Sequence, residues 1–221
     1  MRTLFLIALG LSAGHHALAE PPLLQKAREL PQEISVYSFD VAFTDNDIQM
    51  RGFVDPSRGE GKRVTVYEPA TAGWNNKLRE TIEAFDSNPL EDFWCRDFLR
   101  YVSGDAREVR ETDRDVVIAF SPQPSGAVDA EKRRFFAQMI AQLTIDKGNG
   151  QVRLFELQNR KPFKPIMIAK IESYQLTARC EASPDGRTFA ATIETSLIGK
   201  VALRKIHESE VRTISNLKLV E

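Results

Sequence analysis

The sequence predicts a mainly β protein of the α+β class: a strongly curved antiparallel sheet or open barrel of about ten strands, with a helical pair covering its concave face. Three observations carry this. Apolar residues recur with a period of two along 37–54 and again from residue 114 onward. Between 74 and 103 the spacing changes to that of a helix. Short turns such as Lys147-Gly148-Asn149-Gly150 and Asp185-Gly186 separate successive strand patterns, which is how an antiparallel meander is connected.

The amino-terminal segment has a different character. Arg2 precedes the apolar run Leu4 to Leu11, and Ala17-Leu18-Ala19 supplies the small-x-small pattern that a signal peptidase cuts. Residues 1–19 therefore read as a signal peptide cleaved at Ala19-Glu20, and the remainder as a periplasmic or secreted soluble protein. The run is too short for a stable bilayer anchor, and residue 20 is Glu, not the cysteine an acyl-anchored lipoprotein needs. Cleavage removes one of the 30 basic residues and none of the 31 acidic ones, leaving 29 − 31 = −2. Such a balance gives no long-range attraction for nucleic acid or an anionic membrane, and no stable membrane insertion is expected. The remaining 221 − 19 = 202 residues contain no linker-like stretch and no repeat, so 20–221 reads as one domain with a helical insert at 74–103.

After a short helix near Leu23 to Leu30, Tyr37, Phe39, Val41 and Phe43 share one side of a half-buried strand. Thr44 to Asp47 turns it, and Ile48, Met50, Gly52 and Val54 carry the second strand; Arg63 to Tyr67 forms a third. Trp74, Leu78, Ile82 and Phe85 then make one helical stripe. A second helix is signalled by a cap at Ser87 or Asn88, Pro89 in its first turn, and Glu91 and Asp92 near its positive end. It presents Trp94, Cys95, Phe98, Tyr101 and Val102 and stops at Gly104. Arg107 to Asp115 alternates in sign as a solvated hairpin does. Phe135, Ala137, Met139, Ala141, Leu143 and Ile145 predict a long strand reversed by the 147–150 turn, with Val152 to Gln158 running back. Ile166 to Cys180, Arg187 to Ile198, Val201 to Ile206 and Val211 to Val220 complete the strand set.

The two cysteines outside the leader, Cys95 and Cys180, predict a disulfide in an oxidising compartment. No Cys-x-x-Cys is present and no histidine is near either one in sequence. Past the leader the only histidine is His207, in the charged stretch Arg204 to Glu208, so nucleophile–histidine chemistry and an ordinary zinc site lack their parts. No glycine-rich phosphate loop follows a strand. A two-carboxylate hydrolase would need two inward acids about 5–10 Å apart, and most acids here fall in turns. No enzyme, cofactor or metal is expected. Two further features stand out. Lys170 and Glu172 share the parity of an apolar strand face and must pair, reach its mouth, or be rotated outward by a bulge. Lys161-Pro162-Phe163-Lys164-Pro165 is a stiff connection whose lysines could meet an acidic partner or lipid headgroup.

Gly52-Phe53-Val54-Asp55-Pro56 followed by Arg63 to Pro69 resembles the second hairpin of the periplasmic lipoprotein-carrier superfamily, LolA and its relatives. Leu143 to Asp146 with Val152 to Leu157 is similar to that superfamily's central strands. The resemblance implies an open barrel under a helical lid and a hydrophobic ligand or lipoprotein as cargo. Where such carriers commonly place a basic residue before the first proline, this chain has Asp55.

The expected function is thus that of an exported, non-enzymatic binding protein holding a lipid, acyl chain or lipoprotein-like ligand between sheet and lid. The candidate ligand-binding residues are Tyr37, Phe39, Phe43, Met50, Phe135 and Met139 from the sheet and Phe85, Trp94 and Phe98 from the lid. The alternative is a periplasmic protein-interaction or envelope-stress sensor domain with a filled core, meeting a protein partner at an edge strand.

Overall fold

A computed structural model describes residues 20–31, 35–124, 129–202 and 204–220. The signal-peptide segment, 1–19, lies outside the described residues. Helix α1 (Pro22–Glu29) leads into β1 (Tyr37–Asp45), β2 (Gln49–Val54) and β3 (Val64–Glu68). Helix α2 (Asn76–Ser87) and a 3-10 helix (Cys95–Tyr101) follow, then β4 (Arg107–Glu111) and β5 (Asp115–Phe120). Helix α3 (Ala130–Phe136) precedes β6 (Met139–Asp146), β7 (Val152–Asn159), β8 (Phe163–Ile166), β9 (Ala169–Ala182), β10 (Thr188–Val201) and β11 (Arg204–Leu219). The strands form one antiparallel sheet in the order β3-β2-β1-β11-β10-β9-β7-β6-β5-β4, with β8 paired to β9. The path begins at β3 and ends at β4, so the sheet stays open.

Local chemistry makes the turns. Asp45 Oδ1 accepts the backbone N–H groups of Asp47 and Ile48, both at 2.8 Å, and Asp146 Oδ1 does the same for Gly148 and Asn149. In α2 the Asn75 side chain caps the helix by accepting Leu78 N–H at 2.8 Å. Along β6, Met139, Ala141, Leu143 and Ile145 are buried and their neighbours half-buried, the alternation of a sheet with one covered face.

Four elements differ from the sequence reading. The second lid helix is a run of turns ending in the 3-10 helix, because its backbone is engaged elsewhere. Asp92 adopts φ +51°, Phe93 O accepts the N–H of Ala190 in β10 at 2.8 Å, and Trp94 bridges to Phe189. Pairing with the sheet overrides helix signals at this point. Phe135 belongs to α3, not to a strand, because Asp129 caps that helix by accepting Lys132 N–H at 2.7 Å. The segment read as Ile166 to Cys180 is split: Phe163–Ile166 folds back on β9, and Met167 and Ile168 form the turn. The last two segments are one strand, β11. Lys170 and Glu172 lie beside a bulge, where Ser173 pairs with Ile198 but Ile171 pairs with Gly199, leaving Glu172 extra. Glu172 meets Lys170 at 3.7 Å and Lys200 at 3.4 Å.

One face of the sheet carries two packed clusters. The first joins α1, the 3-10 helix and β5–β10 around Phe98, Leu143 and Phe155, with the Phe98 and Phe155 rings stacked at 4.6 Å. The second joins β1, β2, β11 and α2 around Phe39, Met50, Leu78 and Phe93. A disulfide links Cys95, at the start of the 3-10 helix, to Cys180 in β9, Cα atoms 6.1 Å apart. It ties the lid to a strand 85 residues away. Replacing both cysteines by serine should cost about 4 kcal/mol through loop entropy returned to the unfolded chain. Equal melting of the oxidised protein and the double variant would show that the bridge contributes nothing.

Candidate functional site

Of the nine residues singled out in the sequence, Phe135 lies on α3 against Phe163 and Tyr174 and the others pack in the clusters between sheet and lid, and they do not line a common opening. Tyr37, Phe39, Phe43, Met50, Phe98 and Met139 are buried, and Phe85, Trp94 and Phe135 are partly buried against the two clusters. Tyr37, Phe39, Phe43, Met50, Phe85 and Trp94 come together in the second cluster; Phe98, Phe135 and Met139 belong to the first. Phe39 and Met50, at 1 % and 0 % exposure, present no free surface to a ligand in this arrangement.

The residue that holds the lid at this point was not among them. Phe93 is fully buried, 5.0 Å from the Phe39 ring, 4.8 Å from Trp94 and 6.0 Å from Phe189. Beside it, the Arg187 guanidinium sits 3.7 Å over the Trp94 ring and pairs with Asp185 at 2.6 Å. Asp185 also accepts from Ser183 Oγ and from the Tyr37 hydroxyl, and these donors hold its carboxyl well below the usual range against the opposing effect of burial.

Beyond the lid, β9, β10 and β11 continue and the same face is covered only in part, where Phe135 of α3 packs 5.3 Å from the Tyr174 ring. Cross-strand register puts Asp45, Glu210, Thr195 and Leu176 in one row, and Glu208, Leu197 and Tyr174 in the next. The row on the lid side is Phe43, Arg212, Ile193 and Ala178, of which Phe43, Ile193 and Ala178 belong to the core and Arg212 is half-buried. An open groove of about 480 Å³ lies here, with Tyr174, Thr195 and Leu197 on its floor and Glu208, Glu210, Asp45 and Lys77 along one side. Lys77 bridges Asp45 at 2.8 Å and Asp47 at 2.7 Å.

The inner end of the groove is electrostatically unusual. Arg212 donates to the lid carbonyls of Glu91 (3.4 Å) and Asp92 (3.3 Å), and its buried Nε has no hydrogen-bond partner among the described residues. Burial pushes the guanidinium's pKa down, opposed by Asp92, Glu210 and Glu91. Burial likewise raises Glu210, opposed by Arg212. The Tyr174 hydroxyl is pushed up to about 12, chiefly by burial and secondarily by Glu210, so it stays neutral near pH 7. The arrangement offers an apolar floor running toward the core and a rim of acceptors, suited to a molecule with an apolar body and a hydrogen-bond-donating or cationic end. The parity of Tyr174 with Leu176 was the sequence signal for this floor; Arg212 and Glu210 gave none, since charged residues on an apparent terminal strand read as solvated.

Among the described residues no group of three or more His, Cys, Asp or Glu is placed to hold a metal ion, and no helix is long and apolar enough to cross a membrane. No known protein family, curated protein or solved structure matches this chain.

Two expectations follow from the lid's anchor. Phe93→Ala should destabilise by about 3–5 kcal/mol, as for a fully buried phenylalanine, read by chemical denaturation. Asp185→Asn should cost about 1–3 kcal/mol at pH 7. A depressed carboxyl stabilises the fold above its ordinary value of 3.8 and loses that effect as pH falls through the folded value. The gap between variant and wild type should therefore close in acid; a gap independent of pH would show that the charge of Asp185 is not what stabilises the turn.

Proposed function

We propose that the chain is an exported, non-enzymatic binding protein that takes a lipid, acyl chain or lipoprotein-like ligand on the sheet's lid-facing surface, entering at the uncovered end. The observation that carries this reading is the groove at Tyr174, Thr195 and Leu197, whose floor continues along β9 through Leu176 to Ala178 in the core beneath the lid. An apolar chain would lie along this floor with a hydrogen-bond-donating or cationic end at Glu208, Glu210 and Asp45. The resemblance of Gly52 to Pro69 to the lipoprotein-carrier superfamily supports the same reading. The apolar leader pattern of residues 1–19 and the disulfide are both compatible with export.

A second reading, a periplasmic protein-interaction or envelope-stress sensor domain, is favoured by a specific observation: the largest apolar side chains under the lid are spent on one another. The two readings part on uptake. Native mass spectrometry of protein purified without detergent should show a bound or acquired single-chain amphiphile. Leu197→Arg should weaken that uptake by about tenfold or more by placing a charge on the apolar floor, with the melting temperature held. A clean apo mass with no uptake of added long-chain amine or phosphatidylethanolamine would overturn the carrier reading and leave the interaction domain.

A further inference from the structure

At the uncovered end of the long strands, two hairpin tips lie side by side. The β8–β9 tip exposes Ile166 (41 %), Met167 (94 %) and Ile168 (61 %), and Val201 at the end of β10 is 40 % exposed. Ala202 N–H donates to Ile168 O at 2.6 Å, and Val201 pairs with Ala169, so the tips form one surface. Three consecutive large apolar residues held in water at a turn are not accounted for by the core, which neither cluster extends to include.

The two tips are mostly basic, with Glu172 set between Lys170 and Lys200, and Asp129 and Glu131 of the α3 start lining a groove with Pro165 and Ile171 on one side. From Gln158 to Ile171 the chain carries Arg160, Lys161, Lys164 and Lys170 and no acid; from Thr195 to His207 it carries Lys200, Arg204 and Lys205 and no acid. Arg160 is directed away, donating to Met139 O at 2.9 Å and Ser121 Oγ. Glu172 is shared by Lys170 and Lys200, whereas Lys161, Lys164, Arg204 and Lys205 have no carboxylate partner among the described residues. A chain with a formal net charge of −1 thus concentrates unpaired cations around its most exposed apolar turn, which the overall balance conceals.

We propose that this double tip docks on an anionic phospholipid surface, with Ile166, Met167 and Ile168 entering the interfacial layer and the surrounding Lys and Arg side chains meeting the headgroups. Exposed aliphatics within a basic rim are what such a surface selects: the cations draw the tip to it and the apolar side chains are desolvated on arrival. A polyanion such as a nucleic acid would use the cations and leave the isoleucines and methionine in water. The stiff Lys161-Pro162-Phe163-Lys164-Pro165 connection, with Phe163 packed 5.9 Å from Phe135, braces one side of the tip. The proposal does not require the groove to hold a ligand.

The test is co-sedimentation of the whole chain, without residues 1–19, with sucrose-loaded vesicles. Vesicles of phosphatidylglycerol and phosphatidylethanolamine should retain it, phosphatidylcholine vesicles should retain far less, and raised salt should release it. Met167→Ser with Ile168→Ser, and separately Lys164→Glu with Lys205→Glu, should each lower partitioning by about tenfold or more while leaving the melting temperature unchanged, since all four side chains are exposed. Failure to sediment with anionic vesicles, or sedimentation that the aliphatic pair does not change, would overturn the proposal. So would binding to heparin equal in the parent and the Ser variant together with no vesicle binding.

Discussion

The first strand pairs with the last, and this contact holds the molecule together. Residues 37–45 of β1 lie against 210–219 of β11, and β1–β3 join the remaining strands through this ladder. Closing a loop of that length is entropically expensive, and nothing is returned until both ends meet. Side chains fix the register. Asn46 accepts Ser209 N–H at 2.9 Å, Asn216 donates to Asp40 at 2.7 Å, and Asn216 itself takes φ +55° where β11 carries an extra residue opposite Phe39 of β1. Only with this ladder in place do Phe39, Val41 and Phe43 meet Ile214, and only then does Phe93 have a surface to close on.

Strand and turn chemistry was legible in the sequence wherever one face of the sheet is covered and the other wet, since burial then writes itself as a period of two. The first hairpin, β6 with β7, and the Asp185-Gly186 turn all follow that pattern. It misleads where long-range pairing outweighs local preference. Residues 88–94 carry good helix-start signals, yet Phe93 and Trp94 spend their backbone on β10. Phe135 continues the alternation of β6 by coincidence and is claimed by a helix capped at Asp129. Ile166 to Ile168 looks like the start of a strand because a fully exposed apolar turn is rare enough that periodicity has no pattern for it. The candidate binding residues illustrate a deeper limit: a pocket wall and a packed core need the same side chains, and only three-dimensional placement separates them.

Most of what distinguishes the molecule arises from unequal strand length. β9, β10 and β11 have 14, 14 and 16 residues, on the order of 45 to 50 Å of extended chain, and outrun the lid, which covers only one end of them. The covered end becomes core; the uncovered end becomes, in succession, a groove rimmed by Glu208 and Glu210 and then a pair of tips bearing Met167 and Val201. Arg212 stands at the boundary, its guanidinium held by lid carbonyls and facing Glu210. The bulge at Glu172 lies in the same overhang, where Gly199 lets Lys170 O approach so closely that an added Cβ would clash with it.

An open sheet has two margins, and β4 forms one of them. β4 is exposed along its whole length and reads Arg107, Glu108, Val109, Arg110, Glu111, so a strand arriving beside it meets closely spaced charges of both signs and little to bury. Such a margin is a poor template for growth. Along that side the sheet stays unclosed without offering an arriving strand a surface to extend, so openness there carries no colloidal penalty.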